Sequence, residues 1–255
     1  ITPKTKAIIP VHLFGQPADM QKIVEIAKHY KLQIIEDNAQ ALGATYTLKD
    51  GEKKKTGTIG DIGTTSFFLS KNLGAYGDGG AIYTDNNSLA QKIRILANHG
   101  MEKRYYHDLV GLNSRLDSMQ AAILNVKLKY LDSYNESRRS SAIRYSNNFK
   151  GINNIITPNI PSNPQSHVFH QYTLRIIDSK RDLLTEYLTK SSIPFGIYYP
   201  VPLHNQKAYF SSEVDNKLFP VTNSAVKEVI SLPMHTELSN DQIDHISEKI
   251  IKFLN

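Results

Sequence analysis

Short apolar strands alternate with amphipathic helices along the first half of this chain. The segment Ala7 to His12 is predicted to be a buried strand, and Pro17 opens a helix that runs to Tyr30. Further strands are predicted at Leu32–Ile35, Gly63–Ser70 and Gly80–Thr84, with a helix over about residues 88–97. Strands that alternate with helices in this way indicate an α/β sheet that is covered on both faces.

The second half of the chain has a different pattern. Residues Asp117 to Phe149 predict a long helical region. The polar stretch Asn135 to Ser141 and the break at Gly151 to Pro164 then indicate a domain boundary near residue 140. Beyond it we predict strands at His167–Ile177 and Ile193–Tyr199, and helices that open on the capping boxes Ser179–Asp182 and Ser239–Gln242. We therefore expect a large domain over residues 1–139, with a mainly parallel sheet, and a small α+β domain over residues 140–255.

Composition excludes several classes of protein. The 255 residues contain no cysteine, which removes disulfides, thiolate nucleophiles and cysteine-ligated metal sites, and the histidines lack paired metal-ligand spacing. The net charge is +6, but the tightest basic cluster, Lys53-Lys54-Lys55, is typical of a solvated turn, so an anionic small molecule is a simpler partner than nucleic acid. No apolar run approaches the roughly 18 residues of a membrane span, and no signal peptide is present, so we expect a cytoplasmic protein with no membrane partner.

Polar side chains follow two of the predicted strands at their carboxyl ends, where ligands collect in open α/β sheets. Asp37, with Gln40 just beyond it, follows Leu32–Ile35, and Lys71 follows the apolar run that ends at Leu69. Burial lowers the pKa of a lysine and makes its amine a nucleophile toward aldehydes, while a neighbouring carboxylate can keep a pyridine nitrogen protonated. Enzymes that use pyridoxal phosphate require such a pair. On spacing alone, a helix cap is the commoner role of such an aspartate, and a surface position that of such a lysine.

Five segments of the chain resemble the DegT/DnrJ/EryC1/StrS family of sugar aminotransferases in their order and spacing. The longest, Ser66 to Gly80, is similar to the active-site segment of that family. The other four are Pro10–Pro17, Glu36–Ala41, Gly111–Asp117 and Tyr199–His204. The resemblance implies the fold type I of pyridoxal phosphate enzymes, which is similar to aspartate aminotransferase. Members of the family have a further N-terminal stretch before the position of Ile1, so we expect the large domain to be incomplete at its N-terminus.

The resemblance also implies a role for each residue that would bind the cofactor, pyridoxal 5′-phosphate. Lys71 would bond covalently to the cofactor and, when released, carry protons to and from the substrate carbon. Asp37 would bind the pyridine nitrogen, Gln40 would lie against the ring, and Ser66 would bond the phosphate. Asn113 would reach the phosphate of a neighbouring subunit, which implies a homodimer with shared active sites.

The reaction that the resemblance implies is narrower still. The segment Lys71 to Gly80 resembles the branch that aminates C3 of 3-keto nucleotide sugars, and Lys71 argues against the dehydratase branch, which has histidine there. Tyr198-Tyr199-Pro200 stands where members that act on uronic acid sugars have His-Tyr-Pro, which favours a neutral 6-deoxy sugar on dTDP. An amino acid, with glutamate as the expected one, would donate the amino group, in a pathway of lipopolysaccharide or other polysaccharide biosynthesis. The expected substrate contacts are Arg115, His170 and Tyr199, and a structural role for His170 is an equal alternative.

Two other classes of function stay open at this point. A non-catalytic relative that acts as a partner or regulatory subunit is compatible with the absent N-terminal stretch. A nucleotide-binding oxidoreductase would need a Gly-x-Gly-x-x-Gly turn that opens a helix after a strand. The glycines between Gly74 and Gly80 precede a predicted strand instead, which disfavours this class.

Overall fold

The structure is a computed structural model that describes residues 1–211 and 214–254. The chain divides into two units, the first formed by residues 1–136 and 161–170 and the second by residues 137–160 and 171–255. Within the described ranges, every helix is too short or too polar to span a bilayer.

The first unit and the second unit both contain strands and helices. The strands are β1 (Ala7–Ile8), β2 (Gln33–Asp37), β3 (Thr45–Thr47), β4 (Lys53–Lys55), β5 (Ile62–Ser66), β6 (Gly80–Tyr83), β7 (Met101–Lys103), β8 (Tyr106–His107), β9 (Ile155–Ile156), β10 (Tyr172–Ile176) and β11 (Val229–Leu232). The helices are α1 (Met20–Tyr30), α2 (Asn87–Ala97), α3 (Ser118–Leu128), α4 (Leu131–Asn148), α5 (Arg181–Lys190), α6 (Pro220–Glu228) and α7 (Asn240–Leu254). Short 3₁₀ turns lie at Leu13–Gly15, Pro164–Ser166, Leu203–Asn205 and Asn216–Leu218.

The main sheet of the first unit has the strand order β1-β2-β5-β6. Strands β1 and β2 pair in parallel, as do β2 and β5, and β6 runs antiparallel to β5. The predicted α/β class with a mainly parallel sheet is therefore confirmed. Because β2 and β5 run in the same direction, their last residues, Asp37 and Ser66, lie at the same edge of the sheet.

Helix α1 covers this sheet with the apolar stripe that its sequence predicts. Met20 and Ala27 are buried against Ile34 of β2. The helix begins later than Pro17, because the Asp19 carboxylate accepts the Lys22 N–H and caps the first turn. The cluster Lys53–Lys55 is the strand β4 and not a turn, since its backbone pairs with β3.

The second unit is built on an antiparallel sheet of order β11-β10-β9. The capping box at the start of α7 is confirmed, because Ser239 Oγ accepts the Gln242 N–H at 3.2 Å and Gln242 Oε1 accepts the Ser239 N–H at 2.9 Å. The apolar face of α7 is buried as its spacing predicts. Its buried residues include Ile243, Ile246, Ile250 and Leu254.

Several predictions for the second half were wrong. Ile193–Tyr199 is not a strand, because Pro194 has no N–H to donate and only Gly196 bridges to Ser231. Strand β10 pairs with β11 and with β9, and no strand at β11 was predicted from the sequence. Helix α5 begins at Arg181 without a side-chain cap, since Ser179 adopts the left-handed conformation (φ +58°).

Two boundaries also differ from their predictions. The helical region Asp117–Phe149 is two helices, α3 and α4, with a break at Lys129. The strand predicted from His167 begins only at Tyr172, and His170 therefore lies outside it. Phe169, next to His170, has a positive φ of 44°, which is incompatible with an extended strand there.

Candidate active site

Asp37 lies at the carboxyl end of β2, with its backbone held on both sides. It pairs in parallel with Thr64 of β5 and with Val11. Its carbonyl accepts the His12 N–H at 3.1 Å, and its carboxylate Oδ1 accepts the Ala39 N–H at 3.0 Å. The carboxylate is therefore presented from a rigid strand end, in the place where α/β sheets bind ligands.

Glu36, which precedes Asp37 in β2, forms a fully buried hydrogen-bonded pair with His12. Their Oε2 and Nε2 atoms are 2.9 Å apart. His12 Nδ1 accepts the Ala18 N–H at 3.1 Å, so the imidazole carries its hydrogen on Nε2 and donates it to Glu36. The Glu36 carboxylate also accepts backbone N–H groups at 2.6 to 2.7 Å from Gly57, Ile59 and Gly60.

The donors around Glu36 determine its ionisation. Burial by itself raises the pKa of this carboxyl, but the His12 imidazole and the backbone N–H groups outweigh burial and lower it below its usual value. Glu36 is therefore an anion that anchors the peptide preceding Asp37. This role was not predicted from the sequence, where the available signal was an acidic residue on the same face of β2 as the buried Ile34.

Lys71 lies in the connection between β5 and β6 and is half-buried. Its backbone N–H donates to the Phe68 carbonyl at 2.9 Å. Burial lowers the pKa of the Lys71 amine, and the negative charge of Asp37 opposes that shift without cancelling it. The fold thus brings together the amine and the carboxylate that the sequence analysis selected, and it increases the unprotonated, nucleophilic fraction of the amine.

Gln40 and Ser66 lie on the segments that carry Asp37 and Lys71. Gln40 Oε1 accepts the N–H of Phe14 at 2.6 Å, which ties the loop after β1 to the loop after β2. Ser66 is the last residue of β5, and its Oγ accepts the Phe68 N–H at 3.2 Å. The Ser66 hydroxyl can still donate its own hydrogen to an anion.

His170 is buried beside the loop that Gln40 holds. Gly15 in this loop has a φ of +101°, and a Cβ on it would lie 2.9 Å from the backbone N of His170. Only glycine allows this close approach. Burial at 5% exposure is compatible with a packing role of His170 as well as with a substrate contact.

The remaining predicted residues lie on exposed segments. In the first unit, Asn113 bridges to Asn98, and Arg115 Nη1 donates to Asn98 Oδ1 at 3.5 Å. Tyr199 belongs to the second unit and is half exposed, with its ring centre 5.7 Å from that of Tyr198. The contacts of Asn113 and Arg115 thus attach them to the end of α2.

The residues at this edge fit pyridoxal phosphate. Lys71 supplies an amine of lowered pKa for an aldehyde, and Asp37 supplies an anion for a protonated ring nitrogen. Ser66, at the end of β5, supplies a hydroxyl donor for a phosphate. In the part of the chain that the structure describes, no group of three histidine, aspartate or glutamate side chains is placed to hold a metal ion.

The sequence profile of the DegT/DnrJ/EryC1/StrS aminotransferase family matches residues 1–251. The chain belongs to this family. Three curated relatives illustrate its range. The pleiotropic regulatory protein of Geobacillus stearothermophilus is 46% identical over 99% of this chain and 66% of its own length.

The other two relatives are named as sugar aminotransferases. The UDP-N-acetyl-3-dehydro-alpha-D-glucosamine 3-aminotransferase of Acidithiobacillus ferrooxidans is 44% identical over 100% of this chain and 66% of its own. The dTDP-3-amino-3,6-dideoxy-alpha-D-galactopyranose transaminase of Aneurinibacillus thermoaerophilus is 42% identical over 99% and 67%. The chain thus spans about two thirds of the length of these curated relatives.

Solved structures give the same family fold. The crystal structure of S. venezuelae DesV, in complex with a ketimine intermediate, superposes with a TM-score of 0.92 at 37% identity. The match covers 100% of this chain and 67% of that one. The fold predicted from the family resemblance, that of the sugar aminotransferases, is therefore confirmed.

Proposed function

We propose that this family member carries out pyridoxal phosphate-dependent transfer of an amino group to a nucleotide-linked 3-keto sugar. The observation that carries the proposal is the proximity of Lys71 and Asp37 at the carboxyl edge of the sheet. Burial lowers the pKa of the Lys71 amine, and the negative charge of Asp37 is close enough to oppose part of that shift. A surface lysine or a simple helix cap would not need this pairing. Asp37 does not cap a helix, since α1 precedes it and α2 begins 50 residues later.

Each side chain at this edge has a definite task in this proposal. Pyridoxal phosphate, when bound, supplies an electron sink for the negative charge that develops at the substrate carbon. Lys71 Nζ holds the cofactor and moves a proton at that carbon, and its lowered pKa favours the unprotonated amine that accepts this proton. Asp37 keeps the ring nitrogen protonated, Ser66 Oγ donates to the phosphate, and Gln40 orients the ring from a position set by its bond to Phe14.

The substrate class is proposed from the relatives together with the motif. Two of the relatives have names that give a 3-amino or 3-dehydro nucleotide sugar, one on UDP and one on dTDP. Tyr198-Tyr199-Pro200 favours a neutral 6-deoxy sugar on dTDP, with glutamate as the amino donor. Arg115, His170 and Tyr199 are the proposed substrate contacts.

We also propose a homodimer in which Asn113 reaches the partner's cofactor phosphate. The segment around Asn113 supports it, because Val110, Leu112 and Met119 expose 97%, 72% and 70% of their surface. Apolar surface of this extent is typical of an interaction site. Mixing Lys71→Ala protein with Asn113→Ala protein tests the shared site. If each site takes Lys71 from one subunit and Asn113 from the other, a heterodimer of the two variants has one intact site and shows measurable turnover. If each subunit forms its own site, the mixture stays inactive.

The central experiment is covalent trapping of the cofactor. The protein is mixed with pyridoxal phosphate, its visible spectrum is recorded, and the adduct is reduced with borohydride and mapped by mass spectrometry. We expect a yellow species that reduction fixes on Lys71. Turnover is then assayed with glutamate and dTDP-linked or UDP-linked 3-keto sugars in parallel.

Matched variants make the outcome interpretable. Lys92→Ala removes an exposed lysine of α2 and should leave trapping unchanged, whereas Lys71→Ala should abolish it. Trapping on other lysines, or none in a folded sample, would overturn the proposal and favour the non-catalytic partner or regulatory alternative.

A further inference from the structure

Two buried asparagines connect the loop that carries Lys71 with the loop that follows Asp37. Asn72 is 7% exposed and Asn135, in the second turn of α4, is 2% exposed. Asn72 Nδ2 donates to Asn135 Oδ1 at 2.7 Å, and Asn135 Nδ2 donates to the carbonyl of Leu42 at 3.2 Å. One chain of hydrogen bonds therefore joins the two segments that supply the amine and the carboxylate.

The Lys71 loop depends on such a connection. Residues 67–79 form neither helix nor strand, and the side chains of Leu73 and Ala75 pack into an apolar cluster. Apolar packing is non-directional, so it keeps these side chains buried without determining the orientation of the loop backbone. The bonds of the planar Asn72 amide are directional, and they act on the residue next to Lys71.

The other end of the connection is built for close approach. Gly43 has a φ of +92°, and a Cβ on it would lie 2.6 Å from Asn135 Nδ2. Helix α4 therefore lies directly against the backbone that follows Asp37 and Gln40. From the sequence, Asn135 is only the first residue of a polar stretch near the predicted domain boundary, whereas the structure buries it between these two loops.

We propose that Asn72 and Asn135 are positioning residues that hold Lys71 Nζ in register with the Asp37 carboxylate. The proposal rests on the proposed function, because it concerns the amine and carboxylate that this function assigns to the cofactor. Each asparagine acts on Lys71 through the backbone, and neither is assigned a contact with substrate.

The two amides differ in what their removal leaves behind, which separates positioning from stability. Asn72 Nδ2 also donates to the Val168 carbonyl at 2.9 Å, but Asn72 Oδ1 has no donor within residues 1–211 and 214–254. Asn72→Ala leaves Asn135 Oδ1 and the Val168 carbonyl without this donor, but it also removes the unsatisfied buried acceptor. Asn135→Ala leaves the Leu42 carbonyl and one Asn72 N–H unpaired and keeps the unsatisfied Asn72 Oδ1, so it should be the more destabilising change.

The test compares Asn72→Ala, Asn135→Ala and Asn135→Asp with the wild type and with Asn147→Ala, which changes an exposed asparagine in the same helix. Folding is checked by circular dichroism and thermal melting. Trace acetylation of the protein without cofactor, over a range of pH, gives the ionisation midpoint of Lys71, with exposed Lys92 as the internal reference. The rate of borohydride-trapped adduct formation with pyridoxal phosphate is the second measurement.

We expect Asn72→Ala to stay folded and to slow adduct formation by about tenfold. The ionisation midpoint of Lys71 should move upward toward the ordinary lysine value of 10.5, because a loosened loop exposes the amine and burial is the main cause of its lowered pKa. Asn135→Asp keeps the acceptor for Asn72 but loses the donor to Leu42, so it should have an intermediate effect. Asn147→Ala should match the wild type.

The proposal is overturned if Asn72→Ala and Asn135→Asp fold and leave both the Lys71 midpoint and the trapping rate unchanged. It is also overturned if the effects follow the melting temperatures alone, with Asn135→Ala altered and Asn72→Ala not. If Asn135→Ala does not fold, the nearly isosteric Asn135→Asp decides. Absence of trapping in the wild type would refute the proposed function, whereas the acetylation midpoints would still test the positioning.

Discussion

The core of the second unit and the carboxyl edge of the first unit's sheet bury different kinds of side chain. In the second unit the largest fully buried side chains are aromatic and aliphatic, among them Tyr145, Phe149, Tyr172, Leu174 and Ile230. At the carboxyl edge of the first unit's sheet, the fully buried side chains His12, Glu36 and Asn38 are polar. Apolar burial gains free energy in proportion to area, without direction, whereas hydrogen bonds depend on angle and distance. Substitutions in the second unit should therefore change stability, and those at the edge should also change geometry and chemistry.

The largest expected effect is at the edge. Lys71→Ala should abolish amino transfer while the protein stays folded, because the half-buried amine contributes little to packing and no other amine is assigned its role. Turnover with glutamate and a 3-keto nucleotide sugar, alongside circular dichroism, checks this. Residual turnover above that of the uncatalysed reaction would contradict the assignment.

A core truncation in the second unit should have the opposite profile. Leu174→Ala, at a fully buried position of β10, should lower the free energy of unfolding by about 2–5 kcal/mol and leave cofactor trapping on Lys71 intact in the folded protein. Urea unfolding measures the first effect, and reduction with borohydride measures the second. Leu183→Ala, at a 58% exposed site in α5, is the control and should be nearly neutral.

Glu36→Gln, at the sheet edge, should lower the free energy of unfolding by an amount that depends on pH. The pKa of Glu36 in the folded protein lies below its ordinary value of 4.5, so its contribution is complete above about pH 5 and is lost as the pH falls through the folded pKa. We expect a loss of about 3 kcal/mol at pH 7 that narrows at pH 3.5. Urea unfolding at both pH values tests it, and an equal difference at both would refute the assignment of a buried anion.

The smallest expected effect compares two serines that have the same local signal. Ser239→Ala should lower the free energy of unfolding by about 1 kcal/mol, because its hydroxyl caps α7. Ser179→Ala should change it by less than about 0.5 kcal/mol, since Ser179 caps no helix. Thermal melting of the two variants measures this difference. A larger loss of stability in Ser179→Ala than in Ser239→Ala would contradict the assigned caps.

Much of the fold was predictable because its signals are local. The apolar stripe of α1, the buried face of α7 and the box at Ser239 all depend on residues within two turns of each other. Strand β11 escaped prediction because all four of its residues are buried, so they show no alternation. Ser179 shows the converse, since a local capping signal was overridden by a positive φ.

The site divides in the same way. The motifs around Asp37 and Lys71 selected both residues from the sequence, and the structure brings them within electrostatic reach of each other. Their roles toward the cofactor, and those of Gln40, Ser66, Asn113, Arg115, His170 and Tyr199, stay predictions for the experiments above. The support behind the site was not predictable, since Asn135 finds its partners 63 and 93 residues away.

Short-range periodicity and an ordered set of motifs specify the class of sheet, the family and the residue types available for chemistry. That Glu36 is a hydrogen-bonded buried anion, and that Asn72 and Asn135 join two loops, is visible only in the folded chain. Burial and hydrogen bonding depend on which distant segments meet, and no local pattern encodes those meetings.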